Sequence, residues 1–466
     1  MSEATGIQDN SQNMMANLPV GKLFWKYTLP AVMGMVVNGL YSVIDGIFIG
    51  QAVGAEGLAA INLSWPIFGV LFGFGLMAGT GASALYSINR GAGDTEKARK
   101  VMGNVFVLLP IISFALGAVL YVLAGDLLML QKASGPALSM GIDYLHTLSF
   151  GALPALAGMA LPMLVRNDEK PKLATALMCF GAVVNIFLDW IFVVMLDQKV
   201  QGAALATVMA QGLVMIIGSS YFFSRHATSP LKLSDLRFSL KLSEKTMAVG
   251  FSSFVMFLYF SIVMILHNRL FLEYGNVTVL AAYAIVGYVQ AFYYMFAEGV
   301  GHGIQPIVSF NKGANNNRNI RDALVMAASW AIGIGVTTQL LLNLFPELLA
   351  SIFINNDPAL LESTVLGLRL HLFTMFLDGF IVVCAAYFQA LALARLATLI
   401  SIGNMLIQIP MLLILPKWLG TTGVWISMPI SNIFLVIVVL YFVIRDLKQR
   451  KAQTNIKAQE VIKKAA

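Results

Sequence analysis

Three stretches, Val101 to Ala124, Ala203 to Phe223 and Val424 to Ile444, run almost free of charge. Each is about 20 residues long, enough for a helix to cross a hydrocarbon core of about 30 Å. Lipid offers a backbone no hydrogen bonds, so a segment there must satisfy its own N–H and C=O groups, which a helix does. A helix buried in a water-soluble protein would be shorter or would keep a polar face. The pattern recurs, and twelve spans are expected at 25–49, 58–88, 101–124, 142–165, 173–195, 203–223, 247–270, 279–311, 323–345, 366–390, 396–416 and 423–444. Only 11% of the 466 residues are charged, against about 25% in soluble domains. The fold class that follows is an all-α polytopic membrane protein.

The formal charge of +7 is not spread evenly. With the N-terminus placed in the cytoplasm, 25 of the 30 Lys and Arg fall on that side, leaving Lys132, Lys199, Arg269, Arg369 and Lys417 outside. The positive-inside rule then sets both termini in the cytoplasm. The basic run from Arg445 to Lys464 reads as a topology signal in touch with anionic lipid, so nucleic acid is not an expected partner. Met1 to Asn17 is polar, with no basic stretch leading to a cleavage site, and no signal peptide is expected. Cys179 and Cys384 lie in apolar segments without Cys or His at ligand spacing, which argues against a disulfide or a metal centre.

Shifted by 222 positions, the chain matches itself. Leu58-Ala59-Ala60 falls on Leu280-Ala281-Ala282, and Ser87-Ile88-Asn89-Arg90-Gly91-Ala92 on Ser309-Phe310-Asn311-Lys312-Gly313-Ala314. Farther on, Lys172-Leu173-Ala174-Thr175 meets Arg395-Leu396-Ala397-Thr398 at an offset of 223. An offset so nearly constant marks a duplication. Six spans per half is an even number, so both halves lie the same way up, related by a two-fold axis along the membrane normal. The expected organisation is a six-helix lobe over 1–223, a cytoplasmic linker over 224–247, a second six-helix lobe over 248–445 and a basic cytoplasmic tail over 446–466. Two lobes around a central cleft can rock between inward-open and outward-open states, which makes transport the leading class. A cleft within one chain favours a monomer.

Of the 23 Asp and Glu, only Asp45, Asp189, Glu298 and Asp378 lie well inside apolar spans. A charge at the bilayer centre costs about 2.5–3.5 kcal/mol on insertion scales, so such residues face a cavity or a partner. Burial disfavours the charged form of any carboxylate, which makes these natural proton or cation sites. Asp45 is four residues from the outer end of its span, Asp189 about six, and Thr207 about four, so all three share a depth. Asn185 is one turn below Asp189 on the same face, and Asn38 two turns below Asp45. One polar pocket in the first lobe explains the set. The repeat puts His267 opposite Asp45 and Leu412 opposite Asp189; this asymmetry suggests ion coupling in one lobe and substrate contact in the other. His267 itself is read as an interfacial polar contact near the outer rim.

Pro30, fifteen residues before Asp45, removes a helix hydrogen bond and is the candidate hinge. The glycine-rich run from Gly69 to Gly81 lacks the Gly-Lys-Ser/Thr of a phosphate loop and reads as close helix packing. Phe292, Tyr293, Tyr294 and Phe296 adjoin Glu298, where aromatic faces suit an organic cation as well as lipid.

With these residues in view, the sequence resembles the multidrug and toxic compound extrusion (MATE) family from about Leu18 to Arg445. Val43-Ile44-Asp45-Gly46-Ile47-Phe48-Ile49-Gly50 is similar to the family's first-helix pattern, and Asn185-Ile186-Phe187-Leu188-Asp189 to its fifth-helix Asn-x3-Asp pair. Gly202-Ala203-Ala204 with Thr207 resembles the start of its sixth helix, and Asp378-Gly379 its tenth-helix acidic position. Glu298-Gly299, Pro306 and Phe310-Asn311-x-Gly313-Ala314 look like the subgroup of MepA-type exporters. The resemblance implies a cation site of Asp45, Asn185, Asp189 and Thr207, holding a proton or Na+ and no other cofactor. It also implies substrate contacts at Glu298, Asp378 and Tyr294. The implied activity is efflux of cationic drugs or dyes across the plasma (inner) membrane of a prokaryote. Two departures stand out: Phe257-Leu258-Tyr259-Phe260 has no carboxylate where some members carry Glu, and Pro162 sits where Asn or Glu often completes the first-lobe site.

Flippases or exporters of lipid-linked or endogenous metabolites, from the same superfamily, are the alternative. Acidic buried charges suit cationic compounds better than pyrophosphate lipids. An intramembrane enzyme would need a nucleophile–base pair or clustered metal ligands, and the chain shows neither a His-Glu-x-x-His nor an Asp-rich motif.

Overall fold

The computed structural model describes residues 14–131, 133–351, 353–354 and 357–465, with backbone alone for Ala55 and for residues 456–465. The expectations for Met1 to Asn13, for Lys132 and for the tail's last side chains lie outside the described residues.

Thirteen long helices carry the fold. They are α1 (Val20–Ala52), α2 (Ala55–Gly91), α3 (Thr95–Leu130), α4 (Gly135–Phe150), α5 (Ala152–Asn167), α6 (Pro171–Asp189), α7 (Lys199–Phe223), α8 (Leu240–Tyr274), α9 (Val277–Gly313), α10 (Asn317–Leu344), α11 (Pro358–His371), α12 (Met375–Ala390) and α13 (Ala394–Ala465). A π-helical turn, Trp190–Met195, prolongs α6. Among the described residues, nine helices are long and apolar enough to span, and two bent pairs, α4 with α5 at 62° and α11 with α12 at 49°, raise this to eleven. At 72 residues, α13 is far too long for one crossing, and its backbone leaves helical geometry at Gly420, φ 58°. Counted as two spans there, it completes the expected twelve.

The duplication is written into the backbone. Left-handed φ values recur at matched positions: Gly93 (77°) with Asn315 (56°), Glu169 (66°) with Ala392 (49°), and Asp197 (48°) with Gly420 (58°). A left-handed residue disfavours most side chains, so three matched pairs record one ancestral chain path. The bent spans match too, since the α4–α5 break at Gly151 falls on the α11–α12 break near Phe373.

Apolar packing forms one cluster in the first lobe and two in the second. The first cluster runs from Ile49 to Val249, so the start of α8 reaches into the first lobe. In return, Leu23, Phe24 and Tyr27 of α1 belong to a second-lobe cluster. The segment 224–239 lies against the first lobe rather than free of it. Ala227 and Leu231 are buried, Thr228 donates from N (2.8 Å) and Oγ1 (2.9 Å) to Asp168, and Ser239 N donates to Asn104 Oδ1 at 2.7 Å.

Among the described residues, the close approaches between helices of opposite lobes cluster toward the ends nearer the chain termini. There α1 runs against α9 from Thr28 and Gly303 to Gly39 and Met295. Likewise α2 runs against α8 from Gly81 and Thr246 to Trp65 and Phe257, whose rings stack at 5.6 Å. Beyond those points a Cβ placed on Gly46 or Gly287 would meet no neighbouring helix within 4 Å. The lobes are closed on the terminus side and parted on the far side.

The Gly69–Gly81 run serves two faces, as its spacing allows. Gly69, Gly73 and Gly81 let α8 approach, while Gly75 and Gly79 sit against Leu156 and Ala160 of α5.

Candidate functional site

In the far half of the first lobe, α1, α4, α6 and α7 converge on a polar pocket. Asp189 is completely buried, Asn185 (3% exposed) lies one turn below it, and Thr207 faces Asn185 with Oγ1 3.5 Å from Nδ2. Asp45 of α1 is close enough to Asp189 for their charges to interact. Tyr41 and Tyr144 also stand near enough for both carboxylates' charges to be felt, without hydrogen-bonding them. Asp45 Oδ1, Asn185 Oδ1 and both Asp189 carboxylate oxygens are buried with no hydrogen-bond partner.

Oxygens left so in protein cost about 1–3 kcal/mol each, more when charged. A bound proton or a hard cation removes that cost, and carboxylate, amide and hydroxyl oxygens are the donor set for such a cation. The pocket thus fits both Na+ and H+. The four first-lobe residues expected from sequence lie together here. Tyr41 and Tyr144 were not expected, because a tyrosine in an apolar span gives no signal of the side it faces. The fourth span reaches the pocket through Tyr144; Pro162 lies in α5, near the opposite end of that span.

The second lobe is built differently. Asp378 opens α12, is 3% exposed, and is within hydrogen-bonding reach of Tyr294 of α9 and Asn432 of α13. Asn432 Nδ2 also donates to Thr374 Oγ1 at 3.2 Å. Tyr259 stands near Asp378 and hydrogen-bonds Gln408 Oε1. Gln408 is the repeat partner of Asn185, so this lobe keeps the amide and replaces the acid one turn on with Leu412. Glu298 shares a helix face with Tyr294, one turn away, and is half-buried. The aromatic run divides: Tyr293 is buried and donates to Ala331 O at 3.0 Å, whereas Phe292 is exposed and meets Phe296 edge-on.

His267 is not at the rim. It is 1% exposed, stacked on Tyr283 with ring centroids 5.1 Å apart and set edge-on to His371 at 5.3 Å. Aromatic packing therefore occupies the position that carries Asp45 in the first lobe. Buried charge is not wholly acidic either. Arg166 of α5 is 2% exposed, reaches only Met178 Sδ at 3.8 Å among the described residues, and lies near His302 of the other lobe. Its place at the end of a span had grouped it with the loop charges.

Pro30 lies within α1, which continues as one helix through it, and Pro30 O accepts from Thr175 Oγ1 at 2.6 Å.

Twelve membrane crossings in duplicated halves, closed at one end and holding buried carboxylates within their spans, define a two-lobed membrane transporter. The MatE family model matches residues 30–191 and 248–414, and the chain belongs to that family of transporters, which are not enzymes. The multidrug export protein MepA of Staphylococcus aureus (strain N315) is 25% identical over 433 residues, covering 92% of this chain and 95% of that protein. MepA of Staphylococcus haemolyticus (strain JCSC1435) is 24% identical over 430 residues, covering 92% and 94%. Among solved structures, a MATE in its straight conformation superposes with a TM-score of 0.88, at 23% identity over 94% of this chain and 98% of that one. A MOP superfamily transporter from Pyrococcus furiosus gives 0.87 at the same identity and coverage.

Proposed function

We propose that the protein is a secondary multidrug antiporter, exporting cationic amphipathic compounds in exchange for a cation, H+ or Na+, bound at Asp45, Asn185, Asp189 and Thr207. The observation that carries this reading is the set of buried, unpartnered oxygens in the first-lobe pocket; the MepA relatives support the export of drugs. Loading the pocket favours one arrangement of the lobes, and substrate binding favours the other. Such coupling is reciprocal: each ligand lowers the other's affinity by the same factor.

Glu298 and Asp378, with Tyr294, provide the substrate's counter-charge on the second lobe. Tyr294 and Asn432 hold Asp378 until a cation competes for it. Pro30 supplies the flexible point of α1 between the closed half and the pocket. The protein works as a monomer in a prokaryotic plasma membrane, both termini cytoplasmic, so the parted side faces outward.

Ethidium efflux from loaded vesicles, with a proton or a sodium gradient imposed separately, tests the reading. Efflux driven by sodium alone makes the pocket a sodium site, and efflux driven by protons alone makes the carboxylates a protonation switch. If neither gradient moves any dye or drug, the antiport reading is wrong.

A further inference from the structure

Lys172-Leu173-Ala174-Thr175 and Arg395-Leu396-Ala397-Thr398 are matched in the repeat, yet their surroundings differ. In the first lobe α1 closes over α6: Thr175 Oγ1 bonds Pro30 O at 2.6 Å, and a Cβ on Gly34 would lie 2.8 Å from Met178 Sδ. In the second lobe the matching helices, α8 and the first crossing of α13, meet farther along, where Tyr259 bonds Gln408, but nearer the chain termini they line a cavity of about 760 Å³. Ala248 and Phe251 form one wall, Thr398, Ile402 and Leu406 the other, and the buried Leu435 of the second α13 crossing closes the back. By helical spacing these α8 residues point away from the face that meets α2. Leu399, Leu406 and Val438 are exposed, so the groove opens to the surrounding hydrocarbon.

Its terminus-side end is strongly basic. Arg395 lines it. Arg445 is seven residues beyond Val438, and Lys241 seven before Ala248, hence on the same helix faces, with Lys245 beside them. All four are exposed, and among the described residues none is in an ion pair. The one carboxylate in those turns of α8 is Glu244.

We propose that this groove holds an acyl chain of an anionic glycerophospholipid from the leaflet on the terminus side, its phosphate headgroup resting on Arg395 and Arg445. An apolar slot opening sideways and capped by cations matches one molecule that is both chain and anion. A cationic drug would be repelled at the mouth.

Native mass spectrometry of the intact transporter, titrated with phosphatidylglycerol and with phosphatidylcholine of identical chains, tests this. Wild type binds phosphatidylglycerol more tightly. Arg395→Gln and Arg445→Gln each weaken it about fivefold and leave phosphatidylcholine unchanged. Ala248→Trp fills the slot and removes tight phosphatidylglycerol binding. Equal affinity of wild type for the two lipids, or unchanged phosphatidylglycerol binding by both arginine variants, overturns the proposal. Displacement of phosphatidylglycerol by ethidium would make the groove a drug site instead, and would equally overturn it. Because the arginines are exposed, their variants decide the matter even if Ala248→Trp does not fold.

Discussion

At the scale of single residues, a charge placed in hydrocarbon must have a use or a partner, and the chain provides both. Asp189 has no partner, so Asp189→Asn or Asp45→Asn is expected to abolish gradient-driven ethidium efflux without lowering expression. Wild-type efflux in either variant would remove the pocket from the mechanism. Glu298→Gln is expected to reduce efflux of cationic compounds several-fold while sparing neutral ones, read as the ratio of the two rates. Glu169 is the opposite case: 7% exposed, it pairs with Arg90 at 2.6 Å, and its second oxygen accepts from Met14 N at 3.0 Å. Glu169→Ala strands a buried guanidinium, a loss of about 3–5 kcal/mol, visible as a lower melting temperature in detergent. Glu96→Gln, on the exposed pair with Lys100, should leave that temperature where it was. Asp45 and Asp189 were legible because carboxylates are so rare in apolar runs. Arg90, Glu169 and Arg166 were not, because charges at span ends look like loop charges until packing buries them.

At the scale of helices, what decides the closed state is how near two backbones can come. The Gly69–Gly81 run announced close packing, but the sequence could not say that alternate glycines serve different partners. That division depends on where α5 and α8 arrive. The bends were equally hidden, because Gly151 and Phe373 fall inside runs of unbroken hydropathy. Gly420, whose left-handed φ divides α13, falls in the break expected between the spans at 396–416 and 423–444. At Gly81 the Thr246 carbonyl occupies the space a Cβ would need. Gly81→Leu must therefore push α8 off α2. Spin labels at the terminus-side ends of the two helices should report a longer mean distance in the variant; an unchanged distribution would show that this contact does not hold the lobes shut.

At the scale of the whole molecule, the duplication was legible from matched residues, whereas the conformational state was not, since one sequence serves every state. The closed side joins the lobes through exchanged apolar segments and, around Thr80, a polar knot. Gln305 Nε2 donates to Thr80 O at 3.0 Å, Gln389 Nε2 to Thr80 Oγ1 at 3.2 Å and to Ser253 Oγ at 2.8 Å, and Thr80 and Ser253 hydroxyls lie 3.3 Å apart. Thr80 is the first-lobe member of that knot, so separating the lobes breaks its contacts with Gln305, Gln389 and Ser253 together, while the Gln389–Ser253 bond stays within the second lobe. If export requires this side to open, a bond across Thr80 and Ser253 must stop it. In a background with Cys179 and Cys384 replaced, Thr80→Cys with Ser253→Cys should cross-link under mild oxidation, halting dye efflux. Reduction should restore it, and neither single variant should respond. Full efflux in the cross-linked protein would mean that the lobes do not part here, and that substrate leaves by a route other than rocking about the far-side pocket.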